Sequence, residues 1–276
     1  MKYPALKGGV LNPTANNTFA AVICAAGSSR RMNGIKKEYR TLPGSNLTVL
    51  AAAVSAFAAV PNIATIAIAV PNCAGIGESA SFAAANDEAY AVAKNALPPG
   101  LLGKERPKII FVAGGETRRA SVHNALRELC AYSPGYVLIH DGARPWVSPA
   151  LVKNVIDAVQ QFNAVIPLLP LAETPKEIDT PFALQAENSG AGTNAAPVFV
   201  SRHLRRQFLG VAQTPQGFAF KKILSAHEKA AQRESAGYEY TDDAEVWGEF
   251  VGPVAVIPGS PENKKITFPS DLSPGI

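Results

Sequence analysis

The chain has 276 residues, 47% of them hydrophobic, with 26 Lys and Arg against 22 Asp and Glu and a formal net charge of +4. That length holds one large α/β domain or two small ones and supplies ample apolar material for a core. So small a basic excess argues against a nucleic-acid-binding face, and no run of about 18 unbroken apolar residues suits a membrane span. The stretch through Thr18 carries Gly8, Gly9 and Pro13 and has no apolar run of the signal-peptide kind. Cys24, Cys73 and Cys130 are an odd number without metal-ligand spacing. The expectation is a soluble, cytoplasmic protein with reduced, buried thiols.

From Phe19 onward, short apolar runs alternate with amphipathic stretches. FAAVIC (19–24) reads as a buried strand, followed by a Gly/Ser/Arg loop. Leu50, Val54 and Phe57 have helical spacing, and Pro61 closes that helix. IATIAIAV (63–70) is a second strand, followed by an Ala-rich helix stopping near Pro98, Pro99 and Gly100. KIIFVA (108–113) is a third strand, Val122, Leu126 and Leu129 mark a helix, and YVLIH (136–140) is a fourth strand. Val152, Ile156 and Val159 mark another helix. Between about 171 and 208 the pattern breaks into a small-residue stretch, AENSGAGTNAAP, read as a flexible excursion outside the core. A helix over 221–232 and a strand over 254–258 resume it. Such alternation predicts a mainly parallel, twisted sheet with helices on both faces, and it places ligands beyond the carboxyl ends of the strands.

Chemistry-bearing residues collect in the loops at those ends. AAGSSRRM (25–32) follows the first strand, and Arg30, Arg31, Lys36 and Lys37 put four cations within eight positions. Small residues let a backbone approach a phosphate, and successive amides form an anion-binding nest. The loop is neither a P-loop nor a dinucleotide fingerprint, and taken alone it reads equally well as a solvated basic loop. GGETRRASV (114–122) follows the third strand and HDGARP (140–145) the fourth. Asp141 among arginines suits a magnesium ligand, although an isolated Asp is more often a helix cap or half of an ion pair. YTDDAEVW (240–247) and ENKKIT (262–267), read as two more loops, add Thr241, Asp242, Asp243, Lys264 and Lys265. Together they describe a polyphosphate–magnesium site.

The ordered set AAGSSRRM, KKEY, GGETRRASV, HDGARP, QTPQGF, TDDA and NKKIT resembles the 2-C-methyl-D-erythritol 4-phosphate cytidylyltransferases. The resemblance implies a single Rossmann-like nucleotidyltransferase domain over 19–272, after an extension over 1–18. It also implies an arm at about 171–208 that joins a homodimer, and dependence on Mg2+. The substrates it implies are CTP and a sugar-alcohol phosphate. In the residues matched to the family, Ala25, Ala26, Gly27, Ser28, Ser29 and Arg30 wrap the triphosphate. Arg31, Lys37 and Lys265 are the catalytic cations. Gly115, Glu116, Arg118, Ser121 and Gly142 hold the nucleoside. Asp141 serves the metal and the sugar phosphate. Arg144, Thr174, Arg206, Thr214 and Thr241 bind the acceptor, with Arg205 the alternative to Arg206. Thr174 and Arg144 would be lent across the dimer.

The pattern departs from the family at several places. Ser29 stands where a second glycine is common, KKEY replaces PKQY, Gly142 replaces an alanine, and Pro175 enters the arm. None of these removes a cation. A ribitol 5-phosphate cytidylyltransferase, another nucleotidyltransferase and a non-catalytic nucleotide-binding module on the same fold remain as alternatives. His140 is expected to orient its loop. His123, His203 and His227 are expected at the surface or at caps, Cys24 as a small buried hydrophobe, and Trp146 and Trp247 in packing roles.

Overall fold

The computed structural model describes residues 17–27, 36–72, 87–103, 105–181 and 197–272, in two compact units. The larger unit comprises Met1–Pro167 with Gln213–Ile276. Its strands and helices follow in order. They begin with β1 (Phe19–Cys24), α1 (Val49–Ala58), β2 (Ile63–Val70), α2 (Asp87–Asn95), β3 (Lys108–Ala113) and α3 (Arg118–Leu129). Next come β4 (Tyr136–Asp141), α4 (Pro149–Phe162) and β5 (Ala164–Pro170), the last of which leads out of this unit. Three strands, β6 (Lys176–Ile178), β7 (Val200–His203) and β8 (Gly210–Ala212), lie in the smaller unit. The chain then returns through β9 (Gln216–Ala219), α5 (Phe220–Ser235), α6 (Asp243–Phe250) and β10 (Ala255–Pro258).

The sheet runs β10-β5-β9-β4-β1-β2-β3. Strands β3, β2, β1 and β4 are mutually parallel, and β9 enters antiparallel between β4 and β5. Alternate residues of each strand serve opposite faces, which produces two apolar clusters. Ala21, Ile23, Ile66, Ile68 and Leu138 pack with α1 and α4 (Leu50, Val54, Phe57, Val152, Val159). Ala20, Val22, Ala67, Val137 and Ile139 pack with α3, α5 and α6 (Leu126, Ile223, Ala226, Trp247). The central strands are thus apolar on both sides, which accounts for their continuous hydrophobic runs.

Local signals fix where the helices start. Thr48, Thr117, Ser148 and Asp242 are N-caps whose side chains accept from Ala51, Ala120, Leu151 and Glu245 amides, and Pro149 occupies the first turn of α4. Asn163, at φ 65°, takes the left-handed conformation that ends α4. The first three expected strands fall on their observed ranges, and the fourth runs one residue further, through Asp141. Several elements differ from expectation, among them β9, which was not foreseen. The stretch 240–247, read as loop, instead leads into α6 over 243–250, because Asp242 caps a turn that buries Val246 and Trp247. Strand β5 was not foreseen, since Pro167 and Pro170 interrupt its apolar run.

The smaller unit spans Leu168–Ala212. Its residues Leu168, Leu169 and Pro170 pair antiparallel with β8, and β6 pairs antiparallel with β7. The excursion therefore contains a two-stranded ribbon where only irregular chain was expected. Phe199, Val200, Phe208, Leu209 and Val211 are exposed apolar side chains of this unit.

Candidate active site

The carboxyl ends of β1, β3 and β4 bring three of the foreseen loops to one edge of the sheet. After β1, the Ala25 amide donates to the Ala69 carbonyl at 2.9 Å. Lys36 Nζ donates to the Gly27 carbonyl at 2.7 Å, which ties together the two ends of the glycine loop. Ala25 is buried, Ala26 is half-buried and Gly27 is exposed. Lys37 opens a short 3-10 turn, Lys37–Tyr39, with 8% of its surface exposed. Ser28, Ser29, Arg30 and Arg31 lie outside the described residues, as does Cys73.

After β3, the chain turns through Gly114, whose amide donates to the Val70 carbonyl at 2.7 Å. Ser121 holds this turn shut: its hydroxyl accepts from the Gly115 amide at 3.0 Å and donates to the Thr117 carbonyl at 2.9 Å. Glu116 is exposed on the turn. The turn is braced from α5, because Glu234 accepts from the Thr117 hydroxyl at 2.6 Å and from Arg119 Nε at 2.5 Å.

The electrostatic centre is Asp141, the last residue of β4. Lys265 Nζ lies 2.9 Å from its Oδ2, Arg144 Nε 3.5 Å from the same oxygen, and Arg118 Nε 3.4 Å from Oδ1. Burial pushes the Asp141 carboxyl up. Lys265, Arg118 and Arg144 together outweigh that and hold it well below the ordinary carboxylate range. Arg144 Nη1 also donates to the Asn263 carbonyl at 2.8 Å, while its buried Nε has no hydrogen-bond partner among the described residues. Gly142 turns tightly here, donating its amide to the Cys24 carbonyl at 2.9 Å.

Beneath Asp141 runs a chain of buried hydrogen bonds. The Asp141 amide donates to Thr214 Oγ1 at 3.1 Å, Thr214 Oγ1 meets His140 Nδ1 at 3.0 Å, and His140 Nε2 meets the Arg144 carbonyl at 3.2 Å. A carbonyl only accepts, so Nε2 carries the imidazole proton and Nδ1 accepts from the Thr214 hydroxyl. Burial lowers the His140 pKa to about 4, which keeps the ring neutral near pH 7. His140 thus orients its loop, as expected. Thr214, expected at the acceptor, is 5% exposed, with its hydroxyl committed to two internal partners.

The remaining expected residues make contacts of their own. Thr241 is exposed, and its amide and hydroxyl both donate to Glu245 Oε2 at 2.8 Å. Thr174 and Arg206 belong to the smaller unit, where Arg206 Nη1 donates to the Ala172 carbonyl at 2.6 Å. Arg205 is exposed in the same unit. Trp247 packs on Phe218 at 5.6 Å, as expected, but Trp146 is 40% exposed. His227 is fully buried beside Asp243, not at the surface. Cys130 is exposed, against the expectation of buried thiols, whereas burial pushes the Cys24 thiol up to about 12. Sequence reading missed Gln213, Gln216 and Asn263. Gln213 Nε2 donates to the Ser260 carbonyl, Gln216 clamps Asp242 and the Ala244 amide, and Asn263 Nδ2 donates to the Thr214 carbonyl. Their partners lie 26–50 residues away, beyond any local pattern.

A mainly parallel sheet that gathers a buried carboxylate and three cations beyond its strand ends is an α/β arrangement suited to phosphate-bearing ligands. The chain belongs to the 2-C-methyl-D-erythritol 4-phosphate cytidylyltransferase family, whose model matches residues 19–274. That family is by its description one of cytidylyltransferases, a class of nucleotidyltransferase. Among proteins it is similar to, the bifunctional enzyme IspD/IspF of Nitrobacter hamburgensis is 36% identical over 261 residues, covering 94% of this chain and 54% of that protein. The bifunctional enzyme IspD/IspF of Rhodospirillum rubrum is also 36% identical, over 255 residues, 92% of this chain and 55% of that protein. The chain spans about half the length of these curated relatives. The crystal structure of the Thermus thermophilus 2-C-methyl-D-erythritol 4-phosphate cytidylyltransferase aligns with a TM-score of 0.60 at 29% identity, covering 92% of this chain and 95% of that one. The Francisella tularensis enzyme shares the fold, with a TM-score of 0.66 at 24% identity over 92% of this chain and 96% of that one. No helix among the described residues is long and apolar enough to cross a membrane.

Proposed function

We propose that the chain transfers CMP from CTP to 2-C-methyl-D-erythritol 4-phosphate and releases pyrophosphate, in the cytoplasm. The observation that carries this reading is Asp141 ringed by Lys265, Arg144 and Arg118. A phosphate oxygen of the acceptor attacks the α-phosphorus of CTP in line, the bond to the β-phosphate oxygen breaks, and pyrophosphate leaves. The nucleophile is already anionic near neutral pH, so no general base is required. The difficulty is bringing two polyanions together and stabilising charge spread over equatorial oxygens, so positioning and fixed cations carry the catalysis.

Arg31, Lys37 and Lys265 are assigned to the transferring phosphoryl group, and the loop of Ala25, Ala26, Gly27, Ser28, Ser29 and Arg30 to the triphosphate. Gly115, Glu116 and Gly142 are assigned to the nucleoside, with Arg118 and Ser121 holding that loop. Arg144 and Thr241 are assigned to the acceptor, and Thr214 acts from beneath by fixing the Asp141 amide. The exposed apolar side chains of the smaller unit support a homodimer in which Thr174 serves the neighbouring subunit and Arg206, not Arg144 as expected, is lent with it, because Arg144 lies against Asp141 of its own chain.

Magnesium fits this donor set as a site with a single protein carboxylate, Asp141, the other oxygens coming from substrate phosphates. Bound there, it would supply Lewis-acid stabilisation of phosphate charge.

A pyrophosphate-release assay with magnesium tests the reading. Turnover with CTP and methylerythritol phosphate, and little with ATP, GTP or UTP, is the expected result. Preference for ribitol 5-phosphate would move the enzyme to another acceptor, and silence with both acceptors would leave a nucleotide-binding module.

A further inference from the structure

Asp243 is a buried carboxylate outside the acceptor and nucleotide assignments. It opens α6 with 1% of its surface exposed and faces two groups. Arg118 Nη1 lies 2.8 Å from its Oδ2, and His227 Nε2, also fully buried, lies 3.2 Å from its Oδ1. Neither contact is an aligned hydrogen bond, so charge and close packing hold the three together. Burial pushes the Asp243 carboxyl up, but Arg118 and then His227 outweigh it and keep it ionised. Burial likewise opposes the charge on Arg118, and Asp243 is the largest influence that restores it.

Arg118 therefore spans two carboxylates, Asp243 behind and Asp141 in front. Its side chain is 29% exposed, with Nη1 at the tip held against the buried Asp243 and Nε, nearer the backbone, facing Asp141. The contacts have unequal lengths, 2.8 Å to Asp243 against 3.4 Å to Asp141. A long, flexible side chain in the first turn of α3 would otherwise be drawn wholly onto Asp141. That would occupy the carboxylate that Lys265 and Arg144 share.

We propose that Asp243, backed by His227, is a positioning residue that holds Arg118 away from full pairing with Asp141 and so keeps Asp141 available to the bound substrates. This rests on the cytidylyltransferase reading of the site. Breaking a buried pair on one side leaves an uncompensated charge, so Asp243→Asn alone risks poor folding. The test is therefore a cycle of Asp243→Asn, Arg118→Met and the double variant, read by kcat, by KM for each substrate and by melting temperature.

We expect Asp243→Asn to lose about 10–100-fold in kcat, the range for residues that orient functional groups through a contact. The double variant should regain melting temperature relative to Asp243→Asn, because no charge is stranded. Its kcat should match Arg118→Met within about twofold, the sign that Asp243 acts only through Arg118. Even if Asp243→Asn does not fold, the comparison of the double variant with Arg118→Met stands. Normal turnover in Asp243→Asn, or losses that multiply in the double variant, would overturn the proposal. Should the wild-type protein release no pyrophosphate from any nucleotide, the reaction reading fails instead. A crystal structure of Asp243→Asn then decides: Arg118 moved onto Asp141 supports positioning, and Arg118 unmoved refutes it.

Discussion

Oγ1 of Thr214 donates to Nδ1 of His140 at 3.0 Å, the nitrogen left unprotonated because the Arg144 carbonyl takes the proton-bearing Nε2. The same oxygen accepts from the Asp141 amide, so one hydroxyl couples the ring to the backbone of the carboxylate. Replacing Thr214 by Val keeps the shape and leaves a buried amide and a ring nitrogen without partners. The expected cost is about 1–3 kcal/mol, read as a lower denaturant midpoint at unchanged m-value. An unchanged midpoint would show that the bonds are not formed in solution.

Lys265 separates catalytic from structural contribution. Its side chain is 36% exposed and is one of three cations on Asp141. Lys265→Met should therefore leave the melting temperature nearly unchanged, since Arg118 and Arg144 still compensate the carboxylate. Turnover should fall by about 10²–10³, the usual consequence of removing one preorganised donor to a developing anion. Coupled pyrophosphate release and thermal unfolding, run side by side, check both halves.

Gly114 marks where two loops touch. A Cβ placed there would lie 2.4 Å from Ala26 Cβ and 3.0 Å from the Val70 carbonyl. Both neighbours sit beside strand backbone, so Gly114→Ala must displace the start of the glycine loop. The expected outcome is a destabilisation of about 1–3 kcal/mol together with a raised KM for CTP. A variant with wild-type KM would remove the close approach of these loops from the account of the site.

What the amino-acid sequence reveals follows from how local each determinant is. Strands β1 and β2 stood out because residues buried on both faces make unbroken apolar runs, and the half-buried edge strand β3 because its apolar run lies between Pro107 and Gly114. Asp141 stood out because its motif sets it among arginines. The role of Asp243 did not, because TDDA reads as loop until Asp242 is seen to cap α6, and because its partner Arg118 lies 125 residues earlier. His227 was hidden for the same reason: one His on a helix says nothing until the element packed against it is known. Ser121 and Thr214 were read as ligand-binding residues, but their hydroxyls bond within the protein. A motif match cannot separate a residue that touches a ligand from one that holds the loop that does.

Acid should destabilise the protein in two stages. Burial lowers the His140 pKa from the ordinary 6.5 to about 4, and lowers the half-buried His123 to about 4 as well, with His227 adding to the latter. A histidine kept neutral in the fold takes up its proton first in the unfolded chain. Its stabilising contribution is therefore complete above pH 6.5 and is lost as the pH falls toward about 4. For His140 that loss is on the order of 3 kcal/mol. The carboxyls of Asp141 and Asp243 are held below their ordinary values, so their contribution persists through this window and is lost only at lower pH. Unfolding free energies measured by denaturant from pH 8 to pH 4 should fall most steeply between 6.5 and 4. His140→Gln, which retains one donor and one acceptor for Arg144 and Thr214, should flatten that slope. An identical slope in the variant would assign the acid sensitivity to other groups.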